Sequence, residues 1–255
     1  MARVLITGGT GLLGRHTLAA WPPSLEATVV DRGVHDLLVP GAFAELIRDV
    51  RPDAVLHLAW SASSTPGYRS SRANAGWRSV SMEAAEACLD LNIRFIGTGT
   101  VLDSEAGGDT YIASKSALRA GLASSIDVGD ITWLRPHYVF DPEQPSPAVL
   151  RAARAAKAAG HPVALATPGA THDFVHAADV GHAIVASVIQ GLTGPVDIGS
   201  GQLRAVSALV EGCGATWTTA SVPTILQHAS ARADIAPLIA TGWHPSHTDG
   251  YFTHD

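Results

Sequence analysis

The stretch Val4–Gly14, VLITGGTGLLG, decides the fold. Val4, Leu5 and Ile6 read as a buried strand, the glycines as a turn, and the residues after them as the start of a helix. Glycine at 8, 11 and 14 lets the turn take positive φ and lets backbone approach a diphosphate that a Cβ would push away. The helix behind the turn offers unpaired N–H groups and a partial positive charge to that diphosphate. Working outward, Ala27–Val30 reads as a short buried strand that ends in Asp31. An acid about 20 residues beyond such a turn is placed to hold a ribose hydroxyl.

The bulk numbers narrow the setting. A chain of 255 residues with 46% hydrophobic and 16% charged residues is globular and long enough for a sizeable core. The net charge of -6 and the lack of a Lys/Arg-rich run argue against nucleic acid or an anionic membrane as partner. Cys88 and Cys213 make no disulfide framework and read as small buried apolar residues. The first strand opens by Val4, leaving no room for a signal peptide, and no apolar run reaches membrane length, so a cytoplasmic enzyme is expected.

Along the chain, helices are expected over Arg15–Trp21, ended by Pro22 and Pro23, over Pro40–Val50 with Phe43, Leu46, Ile47 and Val50 on one face, over Ala73–Leu91, and over Tyr111–Ser124. Strands are expected at Ala54–Leu58, from Arg94 into Gly97-Thr98-Gly99-Thr100, and at Ile131–Leu134, with a polar loop over Ser61–Ser71. Strands alternating with helices predict an α/β fold, a Rossmann-type doubly wound parallel sheet. The alternation loosens from about Asp141. This predicts a dinucleotide-binding domain over 1–140 and a small substrate lobe over 141–255, interleaved with the last sheet strands.

Tyr111-Ile112-Ala113-Ser114-Lys115 puts Tyr and Lys at i and i+4 on one helix face. Alone, this spacing reads as a solvated face. In company with a nucleotide turn it reads as a proton-transfer pair: a phenol titrates near ~10, and a neighbouring ammonium favours the phenolate. Such a pair passes the proton that hydride transfer at a carbonyl requires. Thr98 stands at the C-terminal end of a parallel strand, the edge where α/β ligands bind, and can hydrogen-bond the same oxygen.

These residues together resemble the extended short-chain dehydrogenase/reductase family, of the NAD-dependent epimerase/dehydratase type, nearest to the sugar-nucleotide reductases and epimerases. TGGTGLLG resembles the family's cofactor turn, Asp36-Leu37 its acid–hydrophobic pair near the adenine, and His57-Leu58-Ala59 its cofactor-lining segment. Asn74, Leu134-Arg135-Pro136, Asp173-Phe174-Val175-His176 with Asp179, and Ile198-Gly199-Ser200-Gly201 resemble its later landmarks. The resemblance implies Thr98, Tyr111 and Lys115 as catalytic residues, with Tyr111 the acid/base and Lys115 on the ribose. It implies cofactor contacts at Gly8, Gly11, Leu12, Leu13, Gly14, Asp31, Arg32, Asp36, Leu37, Leu58, Ala59, Lys115 and Pro136. Substrate contacts are expected at Trp60, Ser61, Thr100, His137 and His172, with no metal. It further implies a small sugar-like substrate and a homodimer through the helices at Ala73–Leu91 and Tyr111–Ser124.

The departures bear on substrate and cofactor. The connection from Asp31 to Asp36 is short, as in dTDP-4-dehydrorhamnose reductases. Gly99 and Thr100 stand where dehydratases carry Asp-Glu, which argues against dehydration. His172 stands where many nucleotide-sugar epimerases carry an Arg, and imidazole is a poorer diphosphate ligand than a guanidinium fork. Trp60 narrows the pocket. The cofactor is NAD or NADP. Asp31 repels a 2′-phosphate and tips the balance to NAD, whereas Arg32 next to it suits NADP. His244, His247 and His254 with Asp249 and Asp255 match no zinc spacing and read as a polar tail; His176 and His182 read as packing or capping residues, and Trp77, Trp133 and Trp243 as packing. Ser63, Ser64 and Thr65 read as polar loop residues at the ligand edge. The leading expectation is a hydride-transferring oxidoreductase on a sugar-like carbonyl or alcohol of a nucleotide sugar. The rivals are a redox-neutral epimerase with retained NAD, and a non-catalytic NAD(P) sensor, against which the intact Tyr–Lys pair counts.

Overall fold

The computed structural model describes residues 2–62, 67–104, 109–143, 148–220 and 231–252. The expected loop residues Ser63, Ser64 and Thr65, and His254 and Asp255 of the tail, lie outside these. In chain order the first half runs β1 (Arg3–Thr7), α1 (Leu12–Ala19), β2 (Glu26–Val29), α2 (Ala42–Val50), β3 (Ala54–His57), α3 (Ala73–Asp90), β4 (Arg94–Thr98), α4 (Thr110–Gly121), α5 (Ala123–Asp127) and β5 (Ile131–Pro136). The second half runs β6 (Tyr138–Phe140), α6 (Ala148–Ala158), β7 (Val163–Leu165), β8 (Thr171–His176), α7 (Ala177–Ile189), β9 (Gly194–Ile198), β10 (Leu203–Ala205), α8 (Val206–Gly212), β11 (Trp217–Thr219), α9 (Ala236–Ile239) and α10 (His247–Phe252). Short 3₁₀ turns cover Tyr68–Ser70 and Val101–Ser104.

The main sheet has six strands, all parallel, in the order β2-β1-β3-β4-β5-β9. Two apolar layers sandwich it. One holds α2, α3 and α4 through Phe43, Ile47, Trp77, Val80, Cys88 and Leu118. The other holds α7 through Val180, Ile184 and Val188, with α1 packed along α7. Burying each such aliphatic side chain contributes roughly 1.5–3 kcal/mol.

Three expectations are corrected here. Strand β2 is mostly exposed. In the six-strand dinucleotide order a further strand flanks this position. Here residues 30–41 form turns, so β2 is the sheet's edge and Val29 is 40% exposed. The helix expected over Tyr111–Ser124 breaks at Leu122 into α4 and α5. Cys88 is buried, but Cys213 is only half-buried, its thiol donating to the Val210 carbonyl.

Beyond Phe140 the chain is more regular than the loosened pattern suggests. Strand β9 returns to complete the main sheet. The remainder forms a three-stranded sheet β10-β8-β6 and a two-stranded sheet β11-β7, covered by α6, α8 and α10. Two buried carboxylates fasten this part. Asp173 accepts the amides of Ser200, Gly201 and Ala233 and the Ser200 hydroxyl. Asp179 accepts the amides of Ser246, His247 and Thr248 and so holds the start of α10. His176 caps α7 by accepting the Ala178 amide, as expected, and the tryptophans Trp77, Trp133 and Trp243 are buried.

Candidate active site

The glycine turn sits at the C-terminal end of β1, where the strand order reverses between β1 and β3, the place at which doubly wound sheets take ligands. Gly8 has φ +75, and a Cβ there would come within 2.6 Å of the Ala59 amide nitrogen. Gly14 lies directly beneath: a Cβ on it would reach 2.1 Å from the Gly8 carbonyl oxygen. The glycines thus let β1, the segment after β3 and α1 close up. Helix α1 follows Gly11, which supplies no side-chain cap, so its first-turn amides can be offered to a ligand.

A cavity of about 500 Å³ opens beside this turn. Of the expected cofactor residues it is lined by Gly8, Gly11, Asp31, Arg32, Asp36, Leu37, Leu58 and Ala59, and of the expected substrate residues by Trp60 and Ser61. Leu12, Leu13 and Gly14 do not line it: Leu13 packs into the apolar layer around α7, and Gly14 supports the turn from behind. Gly9, Thr10, Val29, Val30, His35 and Trp77 line it without having been singled out as contacts. Val29 and Val30 end the strand before Asp31, so their place was implicit in the Asp31 reading. A glycine turn, uncapped helix amides and an acid beyond β2 suit a dinucleotide.

Lys115 of α4 meets Thr98 at the end of β4, and Tyr111 stands one turn before Lys115 on the same helix face. The Lys115 ammonium donates to the Thr98 carbonyl oxygen at 2.6 Å and lies 3.7 Å from the centre of the Trp60 ring. The Thr98 hydroxyl is buried and has no hydrogen-bond partner among the described residues, while the Thr100 hydroxyl bonds to Tyr111. Aromatic rings surround the phenol: Tyr68 meets it edge-on at 5.2 Å and Trp60 at 6.3 Å. Asn74, buried on α3, holds both rings' segments by accepting the Trp60 indole N–H at 2.9 Å and donating to the Tyr68 carbonyl at 2.7 Å. In the sequence Asn74 carries only the resemblance, and Tyr68 lies in the loop over Ser61–Ser71, where no periodicity marks it.

The electrostatics differ from expectation. The Tyr111 phenol is not shifted toward the phenolate. Burial, then Tyr68 and Asp103, push the phenol above its ordinary range, against smaller opposing effects of Arg69 and Thr100. Burial also brings the Lys115 ammonium down to about 7, with Asp103 opposing. His57, buried between Thr7 and Ser81, falls to about 3 through burial and the Lys115 charge, so it is a neutral structural imidazole.

Pro136 ends β5, and neither it nor His137 lines the cavity. His137 is buried, with Nε2 3.6 Å from Asp197, which also accepts the Arg135 guanidinium at 2.6 Å. His172 lies on β8 opposite Arg204 and stacks on Tyr138, ring centres 3.9 Å apart. Among the described residues, no group of three or more His, Cys, Asp or Glu could hold a metal ion. His247 of the expected polar tail is instead bonded to Asp179 at 2.6 Å, and Asp249 faces Arg204 at 3.6 Å. Among the described residues no helix is long and apolar enough to cross a membrane.

The model of the NAD dependent epimerase/dehydratase family matches residues 4–197. The chain belongs to this family. It is accordingly an enzyme of the extended short-chain dehydrogenase/reductase type that uses NAD or NADP. Among solved structures it is similar to the UDP-glucose 4-epimerase of Thermus thermophilus in complex with NAD, at 22% identity and a TM-score of 0.70, over 98% of this chain and 96% of that one. It is similar to the UDP-N-acetylglucosamine 4-epimerase of Methanobrevibacter ruminantium, at 18% identity and a TM-score of 0.75, over 98% and 94%. The dTDP-4-dehydrorhamnose reductase of Bacillus anthracis in complex with NADP follows at 14% identity and 0.74, over 98% and 96%. These likenesses establish the shared fold. No curated protein sequence matches the chain significantly.

Proposed function

We propose that the chain is an oxidoreductase that moves hydride between a nicotinamide and a sugar-like carbonyl or alcohol, with Tyr111 as acid/base. The observation that carries it is the cluster around Thr98: its buried hydroxyl has no partner among the described residues, its carbonyl accepts the Lys115 ammonium, and Lys115 and Tyr111 both meet Trp60, which lines the dinucleotide cleft. When bound, the dinucleotide supplies or accepts the hydride. Thr98 donates its hydroxyl to the substrate oxygen and holds it against Tyr111. The phenol, kept protonated by its surroundings, gives its proton to that oxygen as negative charge builds there. This charge state suits reduction of a carbonyl. Lys115, tethered to the Thr98 carbonyl, anchors the ribose side and stiffens the end of β4. Trp60, Tyr68 and Asn74 wall the phenol from water.

NAD is the preferred cofactor in this reading. The Asp31 carboxylate is oriented by the Gly33 amide at 2.7 Å and faces the cleft, where it can accept from a ribose 2′-hydroxyl. A nucleotide sugar is the preferred substrate class, taken up by the lobe over 141–255 with Ser61, Thr100, His137 and His172 toward it. The structural neighbours with UDP-sugar and dTDP-sugar names support this. The homodimer through α3 and α4 rests on family resemblance alone. Tyr111→Phe tests the assignment. It removes the transferable proton with little change of shape, so turnover of the physiological substrate should fall at least ~100-fold, the usual contribution of a positioned acid. Unchanged turnover refutes the mechanism. Mass analysis of nucleotide released on heating separates an exchanging cosubstrate, expected here, from the stoichiometric NAD of an epimerase.

A further inference from the structure

Asp103 is a buried carboxylate that the mechanism above does not use. It is 3% exposed, in the 3₁₀ turn that packs on α4. One oxygen accepts the Trp133 indole N–H at 2.9 Å and the Thr100 amide at 3.1 Å. The other has no hydrogen-bond partner among the described residues and lies 3.7 Å from the Arg119 Nε, which is likewise unpartnered. Room for the carboxylate comes from Gly99: a Cβ there would reach 2.2 Å from the Asp103 oxygen and 2.4 Å from the Trp133 nitrogen. Tyr111, Lys115 and Arg119 follow one another at i, i+4 and i+8, a single face of α4, and Asp103 meets that face.

We propose that Asp103 is a positioning residue of the acid/base site, its fixed carboxylate keeping the Lys115 ammonium and the Tyr111 phenol both protonated. The inference rests on the Tyr–Lys reading of the site. Against Asp103 lie Arg119, one turn beyond Lys115 on α4, and the amide of Thr100, whose hydroxyl bonds Tyr111. Burial pushes the Asp103 carboxyl up, against the Trp133 and Thr100 N–H groups and the charges of Arg119 and Arg135. Its own charge acts on Lys115 and Tyr111, as does His57 on Lys115 and Tyr68 and Arg69 on Tyr111. A buried ammonium loses hydration and tends to shed its proton. The carboxylate opposes this at Lys115 and simultaneously disfavours a phenolate at Tyr111. One buried charge thereby acts on both members of the pair in the same direction, toward the protonated form. The two N–H donors fix where that charge sits, and they tie it to the Thr98–Thr100 segment that positions the substrate oxygen.

Lys115 and Lys157 are the chain's two lysines, so selective ¹³C-lysine labelling of the full chain gives two side-chain signals, the exposed Lys157 serving as control. Asp103→Asn retains the shape and an acceptor for Trp133. Its Lys115 titration midpoint should fall by roughly one pH unit or more, with Lys157 unmoved. An unmoved Lys115 midpoint in a folded Asp103→Asn overturns the proposal. Should that variant not fold, Lys115→Met gives the reciprocal reading: the Asp103 carboxyl then titrates higher, and no shift overturns the proposal equally. With substrate, the Asp103→Asn pH–rate profile should move toward acid, whereas a merely structural defect lowers kcat alike at every pH. Failure of the Tyr–Lys reading looks different. Tyr111→Phe then retains turnover although the Lys115 midpoint still moves, and the positioning role falls with that reading.

Discussion

Replacing Asp179 by Ala should detach the C-terminal helix α10 and cost the protein about 3–5 kcal/mol. Asp179 is 1% exposed in the first turn of α7. It accepts the amides of Ser246 (3.2 Å), His247 (3.1 Å) and Thr248 (3.0 Å), the Thr248 hydroxyl (3.1 Å) and the His247 ring (2.6 Å). Hydrogen bonds to a charged acceptor are worth about 1.5–3 kcal/mol each but are not additive within one network. Water can replace the acceptor at the half-exposed His247. It cannot reach Thr248, which is fully buried, so that amide loses its acceptor outright. Leaving such a group unpaired costs about 1–3 kcal/mol by itself. For a chain of this size ~1 kcal/mol shifts Tm by about 2–4 °C, so thermal unfolding at pH 7 should show a loss of roughly 6–20 °C. The pH dependence has a definite sign. Burial would raise the Asp179 carboxyl, but His247 and the three amides outweigh it and hold the carboxyl below its ordinary value. A depressed folded pKa gives stability that is complete above the unfolded value of ~3.9 and is lost as pH falls through the folded one. The gap between wild type and Asp179→Ala should therefore be full at pH 5–7 and close below about pH 4. A Tm loss under about 3 °C at pH 7 refutes the reasoning.

Two further outcomes can be checked on the cofactor side. Asp31→Ala should weaken NAD more than NADP in fluorescence titrations of the reduced dinucleotides, because only the 2′-hydroxyl loses an acceptor; equal effects on both sink the NAD assignment. Gly14→Ala puts a Cβ 2.1 Å from the Gly8 carbonyl and forces α1 off the turn. Overpacking of this kind costs about 1–3 kcal/mol, and displaced helix amides should cut dinucleotide affinity at least ~10-fold, so near-normal binding in a folded variant contradicts the role given to this contact.

Much of the site was legible because its parts are local. The glycine turn, Asp31, and the Tyr111–Lys115 spacing each lie within one element, where composition and period carry the message. What escaped was non-local or depended on a missing neighbour. Strand β2 reads as buried because a short apolar run looks alike at the centre and at the edge of a sheet, and only the turns over residues 30–41 decide between them. Helix α7 is apolar on nearly every side, packed between the sheet and α1, so it shows no amphipathic period. Asn74, Trp60 and Tyr68 form one wall around Tyr111 from three separate segments. Spacing alone ties the phenol's ionisation to its lysine neighbour, whereas burial, which no local pattern reports, governs it.

The bare rim at β2 has a consequence for how copies of the chain meet in concentrated solution. A last strand leaves a row of backbone donors and acceptors open to any extended segment that can line up with it. Here that row spans only Glu26–Val29, with Pro22 and Pro23 shortly before it and the turns at Asp31 after it. A strand from a second molecule would gain a few rungs at most and would have to lie beside the Glu26 carboxylate. Brevity, a charge and flanking prolines do at this border what an additional strand would otherwise do: they keep the sheet from growing by one molecule after another.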